Sequence, residues 1–245
     1  ILMIARGDCR ILLQFCAGLA AVLLLGGCVR GASPQKTAAA VSLDDKIAQM
    51  LMVGFRGTRL EEAPFILRDL RRRNLGGVIL FDYDILQKRA GRNIASPDQL
   101  KALVASLQAA ADTPLLVAVD QEGGRVSRLA ERSGFPPTVS HGGLGEIDDL
   151  ETTGRRSARL AATLAEMGIG LNLAPVVDLC VNPDNPVIAA YERCFSDDPE
   201  KVTAHARRFI RAHHEQGVLC TLKHFPGHGS SSADSHLGFP DVTGT

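Results

Sequence analysis

The sequence predicts an α/β protein whose strands and helices alternate as in a (β/α)8 TIM-type barrel. Three observations carry that prediction. From Leu43 onward, apolar runs of strand length alternate with amphipathic stretches of helix length. Strands that are apolar throughout need cover on both faces, which points to a parallel sheet. A doubly wound sheet satisfies the alternation too, but no Gly-x-Gly-x-x-Gly turn follows the first run, as a dinucleotide fold would have. Finally, polar residues crowd the carboxyl ends of the runs: Asp82, Asp120, Asp178 and Lys223-His224. Barrel enzymes place their chemistry there.

Taken in order, the first strand is expected over residues 50–55, followed by a helical pattern near 61–73. The second strand spans 77–81. Ser96-Pro97 then opens a helix over 97–111, with Ser at the cap and Pro in the first turn. Strand three is expected over 115–120 and a helix over 150–167. Strand four spans 170–177, a helix 199–216, and strand five 218–223. The barrel is expected to be truncated after about the fifth strand, because a partial barrel leaves open edges that closure normally removes.

Composition excludes some classes. Lys+Arg and Asp+Glu are both 27, with no basic stripe, so nothing points to nucleic acid. Apolar residues at 45% and charged residues at 22% suit a soluble globular enzyme. Of six cysteines, Cys9 and Cys16 lie in the leader and Cys28 ends it. Cys180, Cys194 and Cys220 are scattered, and read as small packed apolar side chains rather than bridges.

Arg6 and Arg10 precede an apolar run over 11–25, followed by Gly26-Gly27-Cys28. A basic start, a short apolar run and small residues before a cleavage point describe a secretory signal peptide. The run is short for a membrane span. Leu25-Gly26-Gly27-Cys28 also resembles the bacterial lipobox, in which the cysteine is acylated and becomes the mature amino terminus. Residues 1–27 are therefore expected to be a lipoprotein signal peptide, 28–42 a tether, and 43–245 the amino-terminal part of a barrel domain. That places the protein in the cell envelope, lipid-anchored on the non-cytoplasmic side. Ordinary cleavage nearby, with Cys28 incidental, is the alternative.

The densest chemistry is Lys223-His224-Phe225-Pro226-Gly227-His228-Gly229, followed by Asp234-Ser235-His236. A strand ending in two titratable groups, broken by Gly and Pro, leads into a loop carrying Asp-x-His. Asp234 can accept a hydrogen bond from one imidazole nitrogen of His236, fixing its tautomer for proton transfer. A metal site is the rival reading, since His224, His228, Asp234 and His236 all have ligand chemistry. The His-x3-His spacing crosses Pro226-Gly227, however, so it is no helical pair. A second constellation is Asp120-Gln121-Glu122-Gly123-Gly124-Arg125-Val126, with Arg128 beyond it. Asp120 closes a strand or caps the next element. The paired glycines let the backbone approach a ligand closely. Glu122 reads as a catalytic carboxylate or as the salt-bridge partner of Arg125. Tyr191-Glu192-Arg193-Cys194 offers Arg193 after the fourth strand.

Together these segments resemble family 3 glycoside hydrolases, specifically the bacterial β-N-acetylglucosaminidases, in family order from Leu43 to Thr245. The resemblance implies a (β/α)8 barrel and retaining hydrolysis of terminal β-linked N-acetylglucosamine, from peptidoglycan fragments or chitin-type oligosaccharides. It assigns Asp120, Arg128, Arg193, Lys223 and His224 to the terminal sugar, His236 to general acid/base catalysis and Asp234 to orienting it, with no metal or organic cofactor. A histidine thus replaces one of the usual two carboxylates. The nucleophile, an aspartate on a later strand in this family, has no counterpart here. Asp241 comes too early, so the segment alone is expected to be inactive. Tyr191 stands where a glycine usually precedes Glu-Arg, and Cys194 where a serine follows. A β-glucosidase, a phosphorolytic N-acetylglucosaminidase and a non-catalytic sugar-binding lipoprotein are the alternatives.

Overall fold

The structure, a computed structural model, describes residues 41–240, 242 and 243. The expected signal peptide, Cys28, most of the expected tether and Asp241 lie outside them. Helix α1 (Leu43–Gln49) starts at Ser42, whose hydroxyl accepts the Asp45 amide at 3.0 Å. The sequence reading lacks α1 because the helix buries no side chain, so no apolar stripe announces it. Strand β1 (Met52–Gly54) leads to α2 (Pro64–Arg73), which ends where Asn74 turns left-handed at φ 51°. Strand β2 (Gly77–Leu80) is followed by a small hairpin, β3 (Tyr83–Asp84) and β4 (Arg89–Ala90). Helix α3 (Pro97–Ala110) begins as expected, with the Ser96 hydroxyl accepting the Gln99 amide at 3.3 Å.

Strand β5 (Leu116–Val119) runs into a second hairpin, β6 (Gln121–Gly123) and β7 (Val126–Ser127). Two helices follow, α4 (His141–Ile147) and α5 (Leu150–Glu166). Strand β8 (Leu171–Asn172), α6 (Pro199–His214) and β9 (Leu219–Cys220) complete the order. Asp149 and Asp198 cap α5 and α6 with their carboxylates, satisfying first-turn amides. The hairpins and α4 were not expected from sequence, since each is too short for a readable period.

One parallel sheet joins β1, β2, β5, β8 and β9 in that order, with Val53 opposite Val78, Val78 opposite Val117, and Leu171 opposite Leu219. Spatial order follows chain order throughout. A doubly wound sheet reverses direction at a switch point, so these are five successive units of the (β/α)8 pattern. Strand β8 is shorter than expected. Pro175 has no amide to donate, and the ladder resumes only at Val176 opposite Lys223.

The main apolar core lies between the sheet and its helices. Phe55, Val78, Leu80, Val117 and Val119 from the strand segments meet Ile66, Leu70, Leu103, Leu107 and Leu164 from the helices, all buried. Burying one such side chain contributes about 1.5–3 kcal/mol. This packing fixes the strand ends relative to one another.

The cysteine reading is corrected here. Cys180 and Cys194 form a disulfide, with Cα atoms 5.6 Å apart, while Cys220 stays a free thiol. The loop after β8 folds back so that the Cys180 amide donates to the Ser196 carbonyl at 3.0 Å. A separation of 14 residues carries no local signal of that return.

Candidate active site

Strand ends deliver the charged groups. Asp120 follows β5 directly, and Lys223 follows β9. Lys223 Nζ lies 2.8 Å from Asp120 Oδ1 and 2.7 Å from Glu122 Oε1. Arg193, which follows the short 3-10 turn Ala189–Tyr191, grips Glu122 through both sides of its fork, at 2.8 and 2.9 Å. A bidentate fork of this kind fixes direction as well as distance. Arg128 lies 3.6 Å from Asp120 and 3.8 Å from Asp82, with its guanidinium 5.9 Å from the Phe81 ring centroid. Its Nε is buried without a partner among the described residues.

Glu122 is the anion at the centre, 2% exposed. Burial pushes its carboxyl upward, but Arg193 and Lys223 outweigh that and hold it at about 2, against an ordinary 4.5. It is therefore a fixed carboxylate that orients two cations, and its partner is not Arg125. The Arg125 guanidinium donates instead to the Ala190 carbonyl at 3.1 Å. The paired glycines also serve the fold. A Cβ on Gly123, at φ 102°, would sit 2.2 Å from the Val139 carbonyl oxygen, and one on Gly124 2.5 Å from Ser140 Cβ. They let the β6–β7 turn approach the segment before α4.

His224 sits beside this cluster. Its Nδ1 lies 2.6 Å from Asp178 Oδ2 and its Nε2 3.2 Å from Arg193 Nη2. Guanidinium only donates, so Nε2 accepts and the proton sits on Nδ1, facing Asp178. Asp178 also accepts the His228 amide at 2.7 Å. Burial raises the Asp178 carboxyl, but the His224 ring and the His228 amide together bring it below the ordinary carboxylate value. A cleft of about 560 Å³ borders Asp178, Lys223 and His224.

Asp234 and His236 lie on the turn that follows. Asp234 Oδ1 accepts from the His236 amide at 2.8 Å and meets its Nδ1 at 2.7 Å. Those two donors hold the Asp234 carboxyl below its ordinary value. The His236 side chain is 77% exposed, so its Nε2 faces outward from the pair. Thus Asp120, Arg128, Arg193, Lys223 and His224 converge, while Asp234 and His236 form a separate pair farther along the same loop. Among the described residues, no three His, Cys, Asp or Glu side chains form a group that could hold a metal ion.

Two contributors were not assigned from sequence. In the sequence Asp178 stands out only as a polar strand end. His141 is buried beneath the site and donates from Nδ1 to the Arg193 carbonyl at 3.0 Å. Burial pushes its ring down to about 4, so it is neutral at ordinary pH. It is the first residue of the short, glycine-containing helix α4, an element too short to leave a readable period.

Residues 42–245 match the glycosyl hydrolase family 3 N-terminal domain. The chain is 41% identical over 196 residues to a beta-hexosaminidase of Idiomarina loihiensis, covering 78% of this chain and 54% of that protein. It is 44% identical over 175 residues to a beta-hexosaminidase of Tolumonas auensis, covering 70% and 47%. Among solved structures it is similar to a glycoside hydrolase family 3 beta-N-acetylglucosaminidase from Paenibacillus sp., with TM-score 0.73, 34% identity and coverage of 82% and 36%. It is similar also to NagZ from Neisseria gonorrhoeae in complex with N-trifluoroacetyl-D-glucosamine, with TM-score 0.67, 35% identity and coverage of 78% and 53%. The chain spans about half the length of the curated relatives it matches.

Proposed function

The chain belongs to glycosyl hydrolase family 3, and from that premise we propose that its protein removes terminal β-linked N-acetylglucosamine from peptidoglycan fragments or chitin-type oligosaccharides, with retention of configuration. One observation carries the reading: an Asp–His pair on an exposed turn lies in the same loop that begins at Lys223 and His224, which join a network of charged hydrogen-bonding groups. Asp120 is the charged acceptor for ring hydroxyls, and Arg128, Arg193 and Lys223 are the charged donors. Such charge-assisted bonds are stronger than neutral ones.

In this mechanism Asp234 holds the Nδ1–H of His236, so Nε2 is the atom that moves a proton. The imidazolium gives its Nε2 proton to the glycosidic oxygen as the bond to the anomeric carbon breaks. A carboxylate from a strand after residue 245, as the resemblance implies, takes the anomeric carbon. His236 then accepts a proton from the water that releases the sugar.

The test is kcat/KM on a matched aryl N-acetylglucosaminide and aryl glucoside, measured on the full-length protein with and without phosphate. A site built to pair the acetamido group discriminates against glucose by as much as about 10⁴–10⁵-fold. A ratio near unity overturns the assignment in favour of a β-glucosidase, and a phosphorylated product in favour of phosphorolysis.

The protein is also proposed to be exported and held by acylated Cys28 to a membrane on its non-cytoplasmic side. Two features support this: the leader pattern, and a disulfide of the kind that persists in oxidising compartments. Among the described residues, no helix is long and apolar enough to cross a membrane.

A further inference from the structure

We propose that His228 is a positioning residue that latches the acid/base turn in place through Ser235, a role that rests on the reading of His236 as the proton-transfer group. His228 grips no sugar in that reading and belongs to neither the Asp234–His236 pair nor the Glu122 network. Its backbone is nevertheless fixed at both ends. The amide donates to Asp178 Oδ1 at 2.7 Å, and the carbonyl accepts from Asn185 Nδ2 at 2.7 Å and from the Ser231 amide at 3.2 Å. From this fixed base the ring Nε2 reaches Ser235 Oγ at 3.0 Å.

Ser235 lies between Asp234 and His236, so a bond to its hydroxyl restrains the backbone of both. The other ring nitrogen, Nδ1, is buried with no partner among the described residues. A buried orphan N–H is rarer than a buried bare acceptor. The proton therefore belongs on Nε2, and His228 donates to Ser235 Oγ. Asp178 completes the arrangement. The same carboxylate takes Nδ1–H of His224, which touches the sugar-gripping Arg193, and the amide of His228, which holds the turn. One buried anion thus sets both the floor of the sugar site and the base of the latch.

The latch acts on proton delivery alone, so its loss should depend on the leaving group. The full-length protein is assayed with di-N-acetylchitobiose, a poor leaving group, and with 2,4-dinitrophenyl N-acetyl-β-glucosaminide, which needs little protonation. Because misplacement by about 1 Å costs on the order of 10²-fold, His228→Ala is expected to lower kcat/KM on chitobiose by about 10- to 100-fold. On the aryl glycoside the loss in kcat/KM, which reports the glycosylation step, should stay under about 3-fold, since protonation contributes little there. Ser235→Ala, an exposed change that leaves the fold alone, should give the same split. The double variant should be no worse than either single, because both remove one bond. His228→Gln places an amide donor near the Nε2 position and should restore most of the chitobiose rate. Equal losses on both substrates, multiplying losses in the double variant, or wild-type rates in His228→Ala would overturn the latch. A wild-type protein that cleaves neither N-acetylglucosaminide would overturn the acid/base reading itself, and the latch with it.

Discussion

Replacing Glu122 with Gln tests whether the centre of the site is an electrostatic keystone. The substitution keeps the volume but removes the charge that Arg193 meets at 2.8 and 2.9 Å and Lys223 at 2.7 Å. The carboxyl titrates near 4.5 in an unfolded chain and is held at about 2 in the folded protein. At about 1.4 kcal/mol for each tenfold change in the proton equilibrium, this difference is worth on the order of 3 kcal/mol. A similar figure follows from breaking a buried ion pair by removing one partner, about 3–5 kcal/mol. The folded pKa is depressed, so the contribution is fully present above about pH 4.5 and is lost as pH falls toward 2. Urea unfolding of the full-length protein and of Glu122→Gln at pH 7, 5, 4 and 3 reads it directly. The gap between the two should be on the order of 3 kcal/mol at pH 7 and 5, and should narrow at pH 4 and further at pH 3. A gap below about 1 kcal/mol at pH 7, the range of an exposed pair, refutes the reasoning, and so does a gap that does not change with pH.

Other expectations concern the turn, the disulfide and the amino terminus. His236→Ala should slow cleavage of natural oligosaccharides by about 10²–10⁴-fold while the glycosylation step of activated aryl glycosides, read as kcat/KM, suffers much less, and Asp234→Asn should act in the same direction; equal kcat/KM losses on paired substrates would expose a binding role. Removing the Cys180–Cys194 bridge with two serines releases a loop constraint worth about 3 kcal/mol, and weaker terminal-sugar binding should accompany it, since Arg193 adjoins Cys194. Dithiothreitol should reproduce that loss in the wild type but not in the variant, and Cys180 and Cys194 found as free thiols in the wild type would contradict it. Mass spectrometry of the mature amino terminus should show acylated Cys28, several chains on one cysteine being enough for firm anchoring. A soluble product starting elsewhere, unaffected by Cys28→Ala, would count against the anchor.

Local pattern determined the frame of this protein. The five strands and the helices over 64–73, 97–110, 150–166 and 199–214 were legible because hydrophobic period and caps act within a few residues. The paired motif Asp234-Ser235-His236 was legible for the same reason: its members are two residues apart, and a short turn suffices to join them. Elements below that length, such as α1 and α4 and the two hairpins, left no period to read. Tertiary structure alone decided which charges meet. Arg193 lies 71 residues from Glu122, and Lys223 lies 103 from Asp120, so no window of sequence could pair them or exclude Arg125. Asp178 and His141 became part of the site only because parallel strands bring every βα loop to one end of the sheet, and Cys180 met Cys194 because the single loop after β8 folds back on itself. The physical reason is one of range: periodicity and capping are contacts between chain neighbours, whereas ion pairs and the disulfide depend on distances that only the packed core sets.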